Sequence, residues 1–268
     1  MKNVWGVPAY LPYIQPDLTS AMIAQAEASI GHRLPEAYLE LLRVQNGGYI
    51  RHSLPDSVHD VIAGIGPYFP TIADFDWEAV RDWVSYELNG LVPFDGDGHW
   101  NLCLDYRVGN EPCVTLADIE CDHESKIADS FADYLDLLQL DVGDNDLALI
   151  DVTDLDGLKR QLATELPISF DEPDSWAHGY PSHRARSKEY DNAYWLWISP
   201  NLVPRGFVRP DHERYIELKD KMPGMARRYN ELTDKAYILS IADTVREAVL
   251  NALHKASIDF KPLADVAD

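Results

Sequence analysis

Between residues 17 and 48 the chain is punctuated so tightly that two short helices are the only regular structure that fits. Asp17 is a ready N-cap, and Leu18, Met22, Ala26 and Ile30 recur every four residues, which draws one apolar stripe along a helix. Gly31 stands where such a helix would turn left-handed and stop. Leu34, Tyr38, Leu41 and Leu42 make a second stripe. Pro35 lies at its start, where a missing N–H costs little, and Asn46-Gly47-Gly48 ends it.

The period then changes. Trp100, Leu102, Leu104 and Tyr106 alternate with Asn101, Cys103 and Asp105, predicting a strand with one apolar and one polar face. Residues 107–111, with Gly109-Asn110, form a turn, and Cys113 to Ile119 return as the hairpin partner. Ile127, Phe131, Tyr134, Leu135 and Leu138 have the spacing of a third helix. The acidic, turn-forming run from Asp141 to Asp146 marks a boundary, so the expected domains are 1–145 and 146–268. In the second half, 155–166 reads as a helix, 171–189 as a long loop and Tyr194 to Ile198 as a buried strand. Ile241, Val245, Ala248, Val249, Ala252 and Ala256 read as an amphipathic helix. The fold class is α+β.

Several local sequences together resemble the SUKH superfamily, which includes the Smi/Knr-type cell-wall regulators of yeast. They are Ile30-Gly31-His32-Arg33-Leu34-Pro35-Glu36-Ala37-Tyr38-Leu39, Gln45-Asn46-Gly47-Gly48, Leu91-Val92-Pro93-Phe94-Asp95-Gly96-Asp97-Gly98, Asn101-Leu102-Cys103-Leu104-Asp105 and the stretch from Ile127 to Leu135. The resemblance covers about residues 17–140 and does not extend to 150–268. It departs at His99 and Trp100, where members often carry a further glycine. It implies an α+β domain with a mixed or antiparallel sheet flanked by helices. It also implies a protein that binds and blocks a toxin, often a nuclease, or in fungi a regulatory interaction hub. Neither role implies catalysis.

Charge narrows the partner. The chain has a formal net charge of −22, and residues 1–150 hold 7 Lys/Arg against 25 Asp/Glu. So acidic a surface repels nucleic acid and anionic membranes and attracts basic proteins. The N-terminus has no basic region followed by an apolar run, no apolar stretch approaches the ~20 residues of a membrane helix, and three cysteines make no disulfide framework. A cytoplasmic protein is expected.

Chemical motifs fail on inspection. An EF-hand starting at Asp95 would put His99, Trp100 and Tyr106 where an oxygen ligand, glycine and glutamate are required, so Asp95-Gly96-Asp97-Gly98 is a turn. Cys103, Cys113, Cys121 and His123 lack a zinc knuckle, and His178, His183 and His212, beside Asp211 and Glu213, lack a metalloprotease spacing. No catalytic residue, metal or cofactor is expected. The expected partner-binding residues are the acids around the hairpin, Asp95, Asp97, Asp105, Glu111, Asp118, Glu120, Asp122 and Glu124, with Trp195 and Trp197 as aromatic anchors. The expected function is an immunity protein that neutralises a cognate basic toxin; the alternative is a non-enzymatic regulator or scaffold.

Overall fold

A computed structural model describes residues 2–55, 59–188 and 194–266. The chain forms two compact units, Met1–Gln139 and Leu140–Asp268, so the boundary falls just ahead of the acidic turn rather than after it.

In the first unit, α1 (Ser20–Ile30) is capped by Thr19 rather than Asp17. The extended backbone of Thr19 turns its hydroxyl to accept the Met22 N–H at 3.2 Å. Gly31, at φ 76°, ends the helix. The second helix, α2 (Glu36–Val44), buries Tyr38, Leu39, Leu41 and Leu42. A short antiparallel pair, β1 (Gly48–Tyr49) and β2 (Val61–Ile62), leads to a four-stranded antiparallel meander of β3 (Leu91–Gly96), β4 (Trp100–Asp105), β5 (Cys113–Asp118) and β6 (His123–Ala128). Ile127 therefore belongs to a strand, and the following helix, α3 (Phe131–Leu137), begins at the Ser130 cap, whose Oγ accepts the Asp133 N–H. Helical spacing had drawn Ile127 in because a strand residue four places ahead of a helix residue mimics one more turn.

The hairpin is amphipathic in pattern but not in surroundings. Leu102 and Leu104 enter the main core with Tyr38, Leu41, Phe94, Phe131 and Tyr134. The opposite face, expected to be polar, is also covered: Cys103 packs with Leu88, Leu91, Ala117 and Ile119 beneath Trp77, Val80, Val84 and Tyr86. The segment between β2 and β3 supplies that second cover, and no local periodicity announces it.

In the second unit, β7 (Asp146–Leu149) is followed by α4 (Leu155–Glu165), β8 (Ile168–Phe170), β9 (His183–Ser187), β10 (Trp195–Pro200), β11 (Tyr237–Ile241), α5 (Arg246–Lys255) and β12 (Phe260–Pro262). One six-stranded sheet in the order β8-β9-β10-β11-β7-β12 has antiparallel pairing throughout. Leu158 and Leu162 of α4 and Val249, Ala252 and Leu253 of α5 bury against Leu147, Leu149, Leu196, Ile198 and Leu239 of the sheet. Two expectations are corrected here. The supposed loop 171–189 contains β9, an interior strand whose His-Arg-Ala-Arg-Ser sequence offers only His183 and Ala185 to the core; residue 189 lies outside the described residues. Ile241 ends a strand, and the helix begins at Arg246.

Candidate functional site

The β3–β4 turn shapes one wall of an aromatic and acidic concavity of the first unit. The register slips between Pro93 and Asp95, a bulge that redirects the strand end. Gly96 then takes φ 154°, and a Cβ there would lie 2.4 Å from Asn101 Oδ1 and 2.5 Å from the Trp100 carbonyl oxygen, so only glycine closes this turn. Asp97 finishes it by accepting the N–H groups of His99 at 2.9 Å and Trp100 at 3.2 Å. Against a desolvation cost, those two N–H donors hold the Asp97 carboxyl below the usual range.

Beside the turn opens a cleft of about 480 Å³, within the size range of ligand pockets. Its aromatic lining comes from Tyr13, Tyr49, Phe69, Phe75, Trp77, Phe94 and Trp100, and its carboxylates from Asp60, Asp74, Asp76, Asp95 and Asp97. Among the described residues that line it there is no Lys, Arg or His. Tyr13 stacks obliquely on Tyr49 at 5.0 Å and meets Phe69 edge-on at 5.7 Å, while Phe69 itself is 70% exposed. The Trp77 indole N–H donates to the Leu91 carbonyl at 3.0 Å, which fixes that side chain to the strand.

One carboxylate of the cleft is anchored from behind. The Asp95 side chain, 6% exposed, pairs with Nδ1 of His59, whose Nε2 pairs with the Tyr134 hydroxyl in the core. Burial, and then the Asp95 charge, push the Tyr134 phenol well above its ordinary pKa. The Asp60 carboxyl is raised as well, first by burial and then by the neighbouring Asp95 charge, with His59 opposing. Asp95 is therefore held in place by His59, and Asp60 is a second carboxylate beside it.

The other expected acids do not join into one edge. Asp105, 5% exposed, is held in a two-pronged pair by Arg107, with Nε at 2.9 Å and Nη2 at 2.7 Å, and accepts the Thr115 hydroxyl at 3.0 Å. Arg107 also pairs with Glu124 at 2.7 Å. Against desolvation, the Arg107 and Thr115 hydrogen bonds keep Asp105 ionised below the usual range. Asp105 and Glu124 thus hold the sheet together, a correction that follows from Arg107 lying between them. Asp118 closes its own turn by accepting the Cys121 N–H at 2.8 Å, Asp122 ties down a distant segment by accepting the Ser85 N–H at 2.5 Å, and the exposed Glu120 lies 3.6 Å from His99. Glu111 is exposed near the other hairpin end. Only Asp95 and Asp97 reach the cleft. Their cleft companions were missed, although Asp74-Phe75-Asp76-Trp77, alternating acid and aromatic, was a readable signal.

Residues 17–137 match the model of the SMI1 / KNR4 family (SUKH-1). The first unit is a SUKH-1 domain. No curated protein matches the chain. The cleft lies within or close to the matched residues, and the SUKH-1 core, with α1, α2, the meander and α3, is the frame that holds its walls.

Beyond the SUKH-1 domain, the expected anchors Trp195 and Trp197 lie on the face of the second sheet opposite α4 and α5, alternating with buried Leu196 and Ile198. They stack at 5.9 Å, with Trp197 39% exposed. Arg184 and Arg186, their cross-strand neighbours, lie 4.6 and 5.0 Å from the Trp195 ring and share Asp171, at 3.1 and 3.2 Å. The stretch expected to be buried is thus half core and half open face.

The three cysteines of the SUKH-1 domain are free and differently placed, Cys103 buried, Cys113 half-buried and Cys121 exposed. His183 faces the core under α4, His178 stacks on Tyr180 at 5.6 Å, and the His212 ring accepts the Arg214 N–H at 3.1 Å. Among the described residues no three His, Cys, Asp or Glu side chains are grouped to hold a metal, and no helix is long and apolar enough to cross a membrane.

Proposed function

We propose that this chain is a non-enzymatic immunity protein, acting in the cytoplasm, that binds a basic toxin domain and blocks it by occupying its surface. The observation that carries this reading is the SUKH-1 cleft, where five carboxylates and seven aromatic rings meet without one base among the described lining residues. The SUKH superfamily includes toxin-immunity proteins, which gives the cleft a class of partner. Unpaired carboxylates steer a basic partner into encounter, and half-buried rings supply the apolar contact that slows its escape. Membership alone would equally suit a regulator or scaffold, but the accumulation of unpaired acid favours a strongly basic partner.

The deciding experiment is co-purification with the product of the adjoining reading frame, followed by affinity at rising salt. A stoichiometric complex with a toxic protein, weakening steeply with salt, is the expected result. Charge reversal in the cleft, Asp60→Lys with Asp74→Lys and Asp97→Lys, should slow association at least tenfold, because steering changes on-rates by about 10–1000-fold. Unchanged association by this triple variant would remove the cleft from the interface. A complex with a non-toxic protein would replace immunity by regulation.

A further inference from the structure

The cleft has a more specific chemistry than acidity. Its rings and carboxylates are interleaved: Asp74 and Asp76 flank Phe75 and precede Trp77, while Asp97 stands three residues before Trp100. A cation entering there meets both a π face and an anion. Such a lining suits a planar, weakly hydrated, delocalised cation better than a compact, strongly hydrated one. It also suits it better than a divalent metal, which needs six or more converging oxygens, and the described residues contain no such group.

The anions are fixed before any ligand arrives. His59, held in turn by Tyr134, prevents Asp95 from swinging away, and Gly96 N–H donates to the second Asp95 oxygen at 2.8 Å. Asp97 is held by two backbone N–H groups. Burial, and then the nearby Asp95 charge, disfavour the ionised form of Asp60. A cation seated at Asp60 and Asp97 would offset that cost without rearranging the wall, the condition under which binding loses least to ordering.

We propose that the cleft is the seat for a single arginine side chain of the partner, its guanidinium lying against the aromatic wall and paired with Asp60 and Asp97. The proposal rests on the partner-binding reading for the origin of that arginine, but its chemistry can be tested without the partner. The full-length protein, labelled with ¹⁵N, is titrated with a five-residue glycine peptide carrying one central arginine, and with its lysine and citrulline counterparts. The arginine peptide should shift the indole signals of Trp77 and Trp100 and saturate. Citrulline, isosteric but neutral, should bind at least tenfold more weakly, and lysine several-fold more weakly. Asp60→Asn and Asp97→Asn, which keep shape and most backbone acceptance, should each weaken the arginine peptide about tenfold while the melting midpoint stays put.

Equal binding of citrulline or lysine would overturn the proposal, as would full affinity in both amide variants. If the arginine peptide binds as described but no neighbouring toxin does, the seat stands and the immunity reading falls. If a toxin binds both amide variants undiminished and the peptide fails to bind, the seat falls and immunity stands.

Discussion

The two units are each built on an antiparallel sheet, yet they differ in how much acid is left without a base. Residues 1–139 carry 7 Lys/Arg and 22 Asp/Glu, whereas residues 140–268 carry 16 and 23. In the second unit the acids have bases within reach: Asp171 takes Arg184 and Arg186, Glu217 takes Arg214 and Lys221, Asp234 takes Arg227, and Glu165 takes Lys255. Arg214 and Lys221 draw Glu217 down to about 2. In the first unit the supply of cations runs out. Asp105 and Glu124 take Arg107 and Asp95 takes His59, while Arg33, Arg43, Arg81 and Lys126 go to Glu27, Glu36, Glu78 and Asp129. Asp60, Asp74, Asp76 and Asp97 of the cleft are not among those pairs. An unpaired carboxylate contributes little to a fold and a good deal to an encounter, so the shortage of bases in one unit is itself a functional feature.

The sheets differ too. The first is covered on both faces, by the main core and by the cluster around Cys103. The second is covered by helices on one face; on the other, Ala148 and Ile238 are buried beneath Tyr229, Leu232 and Leu263, and only the part carrying Trp195, Trp197, Arg184 and Arg186 is open.

The sharpest way to break this comparison is His59→Ala. If the His59 tie is structural in the way the exposed pairs of the second unit are not, its removal strands a buried carboxylate and should cost about 3–5 kcal/mol. Asp171→Ala, at an exposed pair, should leave the denaturation midpoint nearly unchanged. All three cysteines lie in the first unit, so Cys103 labelling under mild denaturant reports that unit's opening alone. Labelling no faster in His59→Ala than in the parent would show the tie to be dispensable.

A pH series separates the units next. Burial, then the charges of Arg51 and Lys2, lower the His52 imidazole to about 4 from an unfolded value near 6.5. Between those values the unfolded chain binds the extra proton. The contribution of His52 is therefore complete above about pH 6.5 and is lost as pH falls toward 4, by up to about 3 kcal/mol. Protonation of Asp105 at lower pH adds in the same direction. His52→Gln should flatten the upper part of the curve as read through Cys103 labelling, and an unaltered curve would assign the acid loss to the carboxylates instead.

The smallest effect belongs to the open face. Trp197→Ala removes a half-exposed ring from its stack with Trp195 and should cost about 1 kcal/mol of stability. It should not change binding of the basic partner if the cleft alone is the interface. A large loss of affinity with intact stability would place the second unit in the complex and dissolve the division drawn here.

Much of the frame was readable because it is local. Gly31 ends α1, the Leu102 and Leu104 alternation makes β4, and Leu155–Glu165 is helical, each by spacing or by one residue's conformational freedom. The family resemblance was legible from the same short tracts. What was misread depended on partners far along the chain. His183–Ser187 has almost no apolar signal of its own and is a strand because β8 and β10 flank it. Asn46 and Asn201 look like surface asparagines in sequence, yet each is buried and ties distant loops. Asn46 reaches the Ile65 backbone at 2.8 and 2.9 Å, and Asn201 the Tyr229 backbone at 2.9 and 3.0 Å.

The sequence by itself determined the α+β class, the SUKH-1 tracts and the surplus of negative charge, since these follow from periodicity, from motifs and from counting. Only the tertiary structure decided which carboxylates that surplus leaves free. Asp105 and Asp97 are indistinguishable as letters. Arg107 reaches one of them, and only backbone N–H groups reach the other. Pairing is a matter of a few ångströms across the fold, because the interaction of two charges decays with distance and with access to water, and neither is written along the chain.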